Sequence, residues 1–245
     1  MSTSPGKSSG NIFYHLQFVF VIAAIIATLF TAWTDPGLLP NSLVEVFKPG
    51  LTKETTPQPE EIKPTSIPRL PVGIVAGHSG NDPGAVCPPE LENTREVDVN
   101  LDVANRVREL LAQNGYVVNL LTEYDTRLQG FQAMALVSIH ADSCEYVNEK
   151  ATGFKVAAAL STIYPENTTR LTNCLRTRYA AKTNMDFHAG SVTPDMTSYH
   201  AFSEIDNNTP AAIIEIGFLN LDHEILTKQQ DNIAQGVAKI GRAHV

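Results

Sequence analysis

Apolar residues fall into short runs closed by polar or glycine-rich turns, alternating with stretches in which they recur every three or four positions. Val72–Ala76 is an apolar run that ends at a glycine and reads as a buried strand. From Glu96 to Asn114, Val97, Leu101, Ala104, Val107 and Leu111 recur at helical spacing, and Gly115 stops the helix. Tyr116–Thr122 (YVVNLLT), Ala135–His140 (ALVSIH) and Gly153–Ala159 (GFKVAAA) read as strands, and Asn167–Lys182 as a helix. Ala211–Gly217 (AAIIEIG) is a final buried strand, followed by helical segments after Leu221. Strands alternating with helices predict an α/β domain built on a mainly parallel sheet with helices on both faces.

The pattern changes at both ends. Phe18–Trp33 (FVFVIAAIIATLFTAW) is apolar and uncharged, and Ile12–Tyr14 extend it past His15 and Gln17. A bilayer-spanning helix needs about 20 such residues and a signal-peptide core about 7 to 15. No clear A-x-A site follows, so residues 12–34 read as an uncleaved signal anchor in preference to a cleaved signal. Lys7 before it and Asp35 after it put residues 1–11 in the cytoplasm and the rest outside the membrane. Residues 35–70 form a proline-rich linker: in Lys48–Pro71 prolines and charges dominate, which makes a semi-rigid spacer. The folded domain is expected over residues 71–239. Residues 240–245 (IGRAHV) do not read as a helix end and resemble the in-frame translation of a sequencing adapter, so a longer authentic helix is expected there.

Composition excludes one class. The 245 residues are 43% hydrophobic with a net charge of −8, so the chain is globular but lacks the basic footprint of a nucleic-acid binder. Cys87, Cys144 and Cys174 are too few for a disulfide scaffold and match no C-x-x-C metal pattern. Cys87 and Cys144 follow loops at the same predicted sheet edge and are expected to pair outside the cytoplasm, with Cys144–Cys174 as the alternative.

Ligands of parallel sheets bind beyond the carboxyl ends of the strands. His78 follows the first strand in GIVAGHSGNDPGA, His140 ends ALVSIH, Glu215 lies near the end of AAIIEIG, and Glu96 opens the first helix on the same side. Singly, each has a plain structural reading: a loop histidine, a histidine at a strand end, or, for Glu96, a capping box with Asn93. Glu215 resists one, because Ile213, Ile214, Ile216 and Phe218 flank it and a buried carboxylate needs a cation, a proton or a task. Together the four describe two imidazoles and a carboxylate around one ion, with a second carboxylate beside it, which is the donor pattern of catalytic zinc.

GHSGNDPGA, TREVDVNL, LVSIHAD and PAAIIEIGFLN, in this order and spacing, resemble the zinc-dependent N-acetylmuramoyl-L-alanine amidases of bacteria, over about Pro71 to Gly236. The resemblance implies a mixed, largely parallel sheet with its zinc site at the carboxyl edge of the strands. It implies Zn2+ on His78, Glu96 and His140, with Glu215 as the catalytic glutamate. The implied reaction is hydrolysis of the amide between N-acetylmuramic acid and L-alanine in peptidoglycan. The chain would then be a single-pass membrane protein facing outward, or a secreted one if the N-terminal segment is cleaved. A zinc peptidase acting within the stem peptide and an inactive membrane-tethered wall-binding module are the competing readings.

Asp142 stands where the resembled family more often has asparagine, and the segment between YVVNLL and ALVSIH is too short for a helical plug. HEILT at His223 lacks the second histidine of H-E-x-x-H and reads as a helix start. His188 and His200, in the loop from Asn184 to Pro210, are expected at the rim or in structural roles. Phe187, Tyr199 and Phe202 of that loop are candidates to touch sugar or peptide.

Overall fold

A computed structural model describes residues 17–26 and 70–240. The two stretches belong to separate units, which divide after Pro64. Residues 17–26, the described part of the expected anchor, are helical. The rest of that anchor, residues 1–11, nearly all of the linker and the terminal 241–245 lie outside the described residues. Among the described residues no helix is long and apolar enough to cross a membrane.

In the second unit five strands form one sheet in the order β2-β1-β3-β5-β4. They are β1 (Val72–Ala76), β2 (Val118–Leu121), β3 (Ala135–Asp142), β4 (Lys155–Ala158) and β5 (Ala211–Phe218). Four run parallel, and β4 pairs antiparallel with β5 at the edge. The sheet is therefore mixed and largely parallel, as the sequence predicts.

Side chains alternate between the two faces of a strand, and the core divides accordingly. On one face Val72, Ile74, Val137, Ile139, Ile214 and Ile216 pack with three helices. These are α1 (Glu96–Gln113), α2 (Pro165–Thr183) and, touching both, α6 (Gln230–Ala238). On the other face Val75, Leu136 and Ile213 meet Met196 of α3 (Pro194–Thr197) and Phe202 of α4 (His200–Glu204). The HEILT segment forms α5 (His223–Lys228). Ile240, expected outside the domain, is buried in the first cluster.

The buried stripe of α1 differs from the expected one. It runs through Val99, Asn100, Val103, Ala104, Val107 and Leu111, while Leu101 is 39% exposed. The reason is Asn100, a polar residue on the core side. Its Nδ2 donates to the Gly77 carbonyl at 3.2 Å and to Glu96 Oε1 at 3.1 Å, which rotates α1 so that Asn100 and Val103 face inward.

Between β2 and β3 the chain makes only one short 3-10 turn, Thr126–Leu128. The long loop before β5 is not bare: it carries α3, α4 and a 3-10 turn at Ala189–Ser191.

Candidate active site

Three segments deliver three donors to the carboxyl edge of the sheet. β1 ends at Ala76, and the next residues turn so sharply that His78 adopts a left-handed backbone with φ of 64°. A non-glycine residue in that region carries strain and marks a position fixed by its surroundings. Asp82 holds the turn: its Oδ1 accepts the Gly84 amide at 2.7 Å and lies 2.7 Å from His78 Nδ1, which leaves Nε2 of the ring facing inward.

Two glycines make room for this packing. A methyl group on Gly77 would collide with the His140 imidazole, and one on Gly84 would lie 2.6 Å from Glu96 Oε2 and 2.9 Å from His78 Cδ2. The glycine-rich loop is thus a close-approach device for side chains of the site.

Glu96 opens α1 but caps nothing. The N-cap position is Arg95, without a side-chain cap bond. The Glu96 carboxylate instead accepts the amides of Ala85 at 3.1 Å and Ala141 at 3.2 Å, as well as Asn100 Nδ2. Its Oε1 lies 3.2 Å from His78 Nε2 and 3.4 Å from His140 Nδ1. The structure thus brings His78, Glu96 and His140 together, with one donor atom from each within 4.8 Å of the others. Ligands about 2.0–2.1 Å from a tetrahedral zinc are separated by about 3.3–3.4 Å. The donor set and its spacing therefore fit a divalent metal.

Charge points the same way. Burial opposes ionisation of Glu96, but hydrogen bonds from His140 and His78 outweigh it and hold the carboxyl well below its usual range. The His78 imidazole is raised to about 9, chiefly by its contact with Glu96. Burial works against a charged His140, yet Glu96, Glu215 and Glu123 together raise it. A cluster this rich in carboxylates attracts positive charge, and a divalent cation satisfies it without needing two protonated imidazoles.

Glu215 lies on β5 directly across from His140 on β3, with Lys155 of β4 across its other side. Its Oε2 is buried and has no hydrogen-bond partner. Burial raises its carboxyl to about 7, against the lowering influence of His140 and Lys155. Glu215 also lines a cavity of about 660 Å³, together with Asp142, Lys155, His188, Met196 and Phe218. Asp142 is no free carboxylate in that cavity: it forms an ion pair with the buried Lys155 and accepts the Ser143 amide.

Glu123, just past β2, escaped the sequence reading. It is buried beside both histidines, accepting the backbone amide of His78 at 2.7 Å and lying 3.7 Å from His140 Nε2. The signal was available, because a charged residue follows a strand end here just as His78 does. His200 is within 3.0 Å of Glu123, and His188 sits at the cavity with its Nδ1 2.6 Å from Ser191 Oγ. Of the three rim aromatics, one is a correction. Phe202 is 1% exposed on the inward face of α4, so it cannot touch a substrate. Phe187 packs edge-on to Phe154 at 5.5 Å, and the Tyr199 hydroxyl is committed to Glu123.

A disulfide joins Cys87 to Cys144, with Cα atoms 5.1 Å apart, and Cys174 is free and buried in α2.

Solved structures share this fold. The CwlD amidase of Clostridioides difficile, determined in complex with the GerS lipoprotein, aligns with a TM-score of 0.54 at 23% identity, covering 70% of this chain and 95% of that one. The Ami1 N-acetylmuramyl-L-alanine amidase of Mycobacterium smegmatis aligns with a TM-score of 0.51 at 16% identity, covering 69% and 94%. The catalytic domain of the amidase CwlV from Bacillus (Paenibacillus) polymyxa var. colistinus aligns with a TM-score of 0.50 at 23% identity, covering 69% and 94%. No curated protein matches the chain. Residues 72–240, more than half of the sequence, match the model of the N-acetylmuramoyl-L-alanine amidase family, and the chain belongs to that family.

Proposed function

We propose that the protein uses a zinc ion held by His78, Glu96 and His140 to hydrolyse the amide between N-acetylmuramic acid and L-alanine in peptidoglycan. The observation that carries this reading is the meeting of His78 Nε2 and His140 Nδ1 at Glu96 Oε1, beside a buried, unpartnered Glu215 oxygen. When bound, zinc polarises the scissile carbonyl and lowers the pKa of water from about 16 towards about 7.

The chain's own residues do the rest. Asp82 keeps the His78 ring turned with Nε2 inward. Glu215, with its carboxyl raised to about 7, takes the proton of the attacking water and passes it to the leaving amine. A pKa near the working pH suits both halves of that task. The cavity beside Glu215 receives the substrate, and the Lys155–Asp142 pair fixes its floor.

In this reading residues 12–34 anchor the protein in the membrane, residues 35–70 tether the catalytic domain, and peptidoglycan lies on the outer side. The Cys87–Cys144 disulfide supports an oxidising location for the domain. The test is digestion of purified peptidoglycan with and without chelator, with mass spectrometry of the products. Release of intact stem peptides with a free L-alanine amine, only in the presence of metal, is expected. Cleavage within the stem peptide would identify a peptidase, and no cleavage by the zinc-loaded protein would identify a binding module.

A further inference from the structure

Glu123 is the one buried carboxylate at the centre with no part in the scheme above. Its Oε2 accepts the backbone N–H of His78 at 2.7 Å and faces Nε2 of His140 at 3.7 Å. Its Oε1 accepts the Tyr199 hydroxyl at 2.9 Å and lies 3.0 Å from His200 Nε2. The outer nitrogen of His200 is in turn 2.9 Å from Glu204 Oε1. Glu123 thus joins the first and second histidines of the cluster to α4.

The two histidines are served unequally. Each would present one ring nitrogen to a metal and needs a partner for the other. His78 has Asp82 at 2.7 Å from its outer nitrogen. The outer nitrogen of His140 is buried without a hydrogen-bond partner, and Glu123 is the carboxylate that faces it. A histidine ligand that donates its second N–H to a carboxylate is held in one tautomer and one orientation, and it binds metal more strongly.

We propose that Glu123 is a positioning residue for the metal centre, holding His140 in the tautomer that carries its proton on Nε2 and turns Nδ1 to the ion. Through Tyr199 and His200 the same carboxylate fixes α4 against the site. Glu123 is 6% exposed and both of its oxygens are engaged, by the His78 amide and the Tyr199 hydroxyl, so it acts through His140 and not on substrate. The proposal rests on the zinc reading of His78, Glu96 and His140. It also carries a geometric expectation: in the zinc-loaded protein the 3.7 Å separation closes to about 2.7–3.2 Å, the length of an N–H···O hydrogen bond.

Zinc dissociation constants of the full chain, measured by competition with a chromophoric chelator for wild type, Glu123→Ala and Glu123→Gln, test this. Removing such an outer partner is expected to weaken zinc binding about 10- to 100-fold in Glu123→Ala. Glu123→Gln keeps an oxygen that accepts the ring N–H and should recover most of the affinity. Long-range nitrogen–proton NMR of the zinc-loaded wild type should show His140 protonated at Nε2 and metallated at Nδ1. A lower unfolding temperature in Glu123→Ala with an unchanged zinc dissociation constant would mean a structural role only and would overturn the proposal. Metallation at His140 Nε2 would overturn it as well. If the wild type itself binds no zinc, the zinc reading falls together with this one. If wild type and both variants bind equally, only the role of Glu123 falls.

Discussion

His140 and Glu215 occupy one register position on the adjacent parallel strands β3 and β5, so their side chains leave the sheet on the same face. That face also carries Leu136, Ser138, Ala211 and Ile213, so the two residues stand at the carboxyl end of a buried, mostly apolar face. One backbone pairing thereby sets a proposed metal ligand beside the proposed proton carrier.

Glu215→Gln should keep zinc and lose the reaction. Glutamine is nearly isosteric, so the strand is undisturbed, but it cannot accept the proton of water. Turnover should fall about 10²- to 10⁴-fold, the usual worth of general acid–base catalysis. His140→Ala should lose zinc together with activity. Metal content and turnover of both purified variants separate the roles; zinc lost equally from both would make Glu215 a ligand.

The rate should depend on pH in a defined direction. A base works when deprotonated, and burial raises Glu215 above the usual carboxylate range, so kcat/KM should climb with pH and level off once Glu215 is ionised. The charge of Lys155 holds the Glu215 carboxyl down, whereas that of Asp142 pushes it up. Lys155→Met removes the first influence and leaves Asp142 unpaired, so the acidic limb should move to higher pH. A limb that stays in place or moves down contradicts the assignment of that limb to Glu215.

Gly77→Ala should damage the centre more than the fold. The added methyl meets the His140 ring, which is buried and has little room to yield. Overpacking of this kind costs about 1–3 kcal/mol of stability. Zinc affinity should drop at least about tenfold, in the range of other disturbances to ligand orientation. Chelator competition and urea unfolding on the same preparation check both values, and wild-type zinc affinity would show that the ring tolerates displacement.

A chain that begins at Leu70 should fold and retain activity, because the buried cluster of the second unit runs from Val72 to Ile240. Gel filtration and circular dichroism of the shortened protein test this. An aggregated product, with the full chain active in detergent, would place required residues before Leu70.

What was legible in the sequence follows from where information is local. The strands were readable because each is a short apolar run with its own punctuation. His78, Glu96, His140 and Glu215 were readable as neighbours because each lies at or near the end of an element, and strand order brings those ends to one edge. Glu123 obeys the same rule, but its meaning depends on Tyr199 and His200, more than 70 residues away. The buried stripe of α1 was misread because a polar Asn100 belongs to it, and hydrophobic spacing cannot count an asparagine that bonds to a loop carbonyl. Phe202 was misplaced for a related reason: a loop reading gives no inward face, whereas the short α4 does.

The Cys87–Cys144 bond connects the loop that leaves His78 to the one that leaves His140. Its effect is on reversibility. In many small metal sites the ion itself gathers the ligands, and losing it unfolds them. Here a covalent link between the two histidine arms does not depend on the ion's presence. With zinc held as proposed, stripping and reloading the ion would be a local exchange, limited by access and ligand protonation, with no search through chain conformations. An oxidised chain should therefore recover fully and quickly after chelation, while a reduced one should recover slowly and in part.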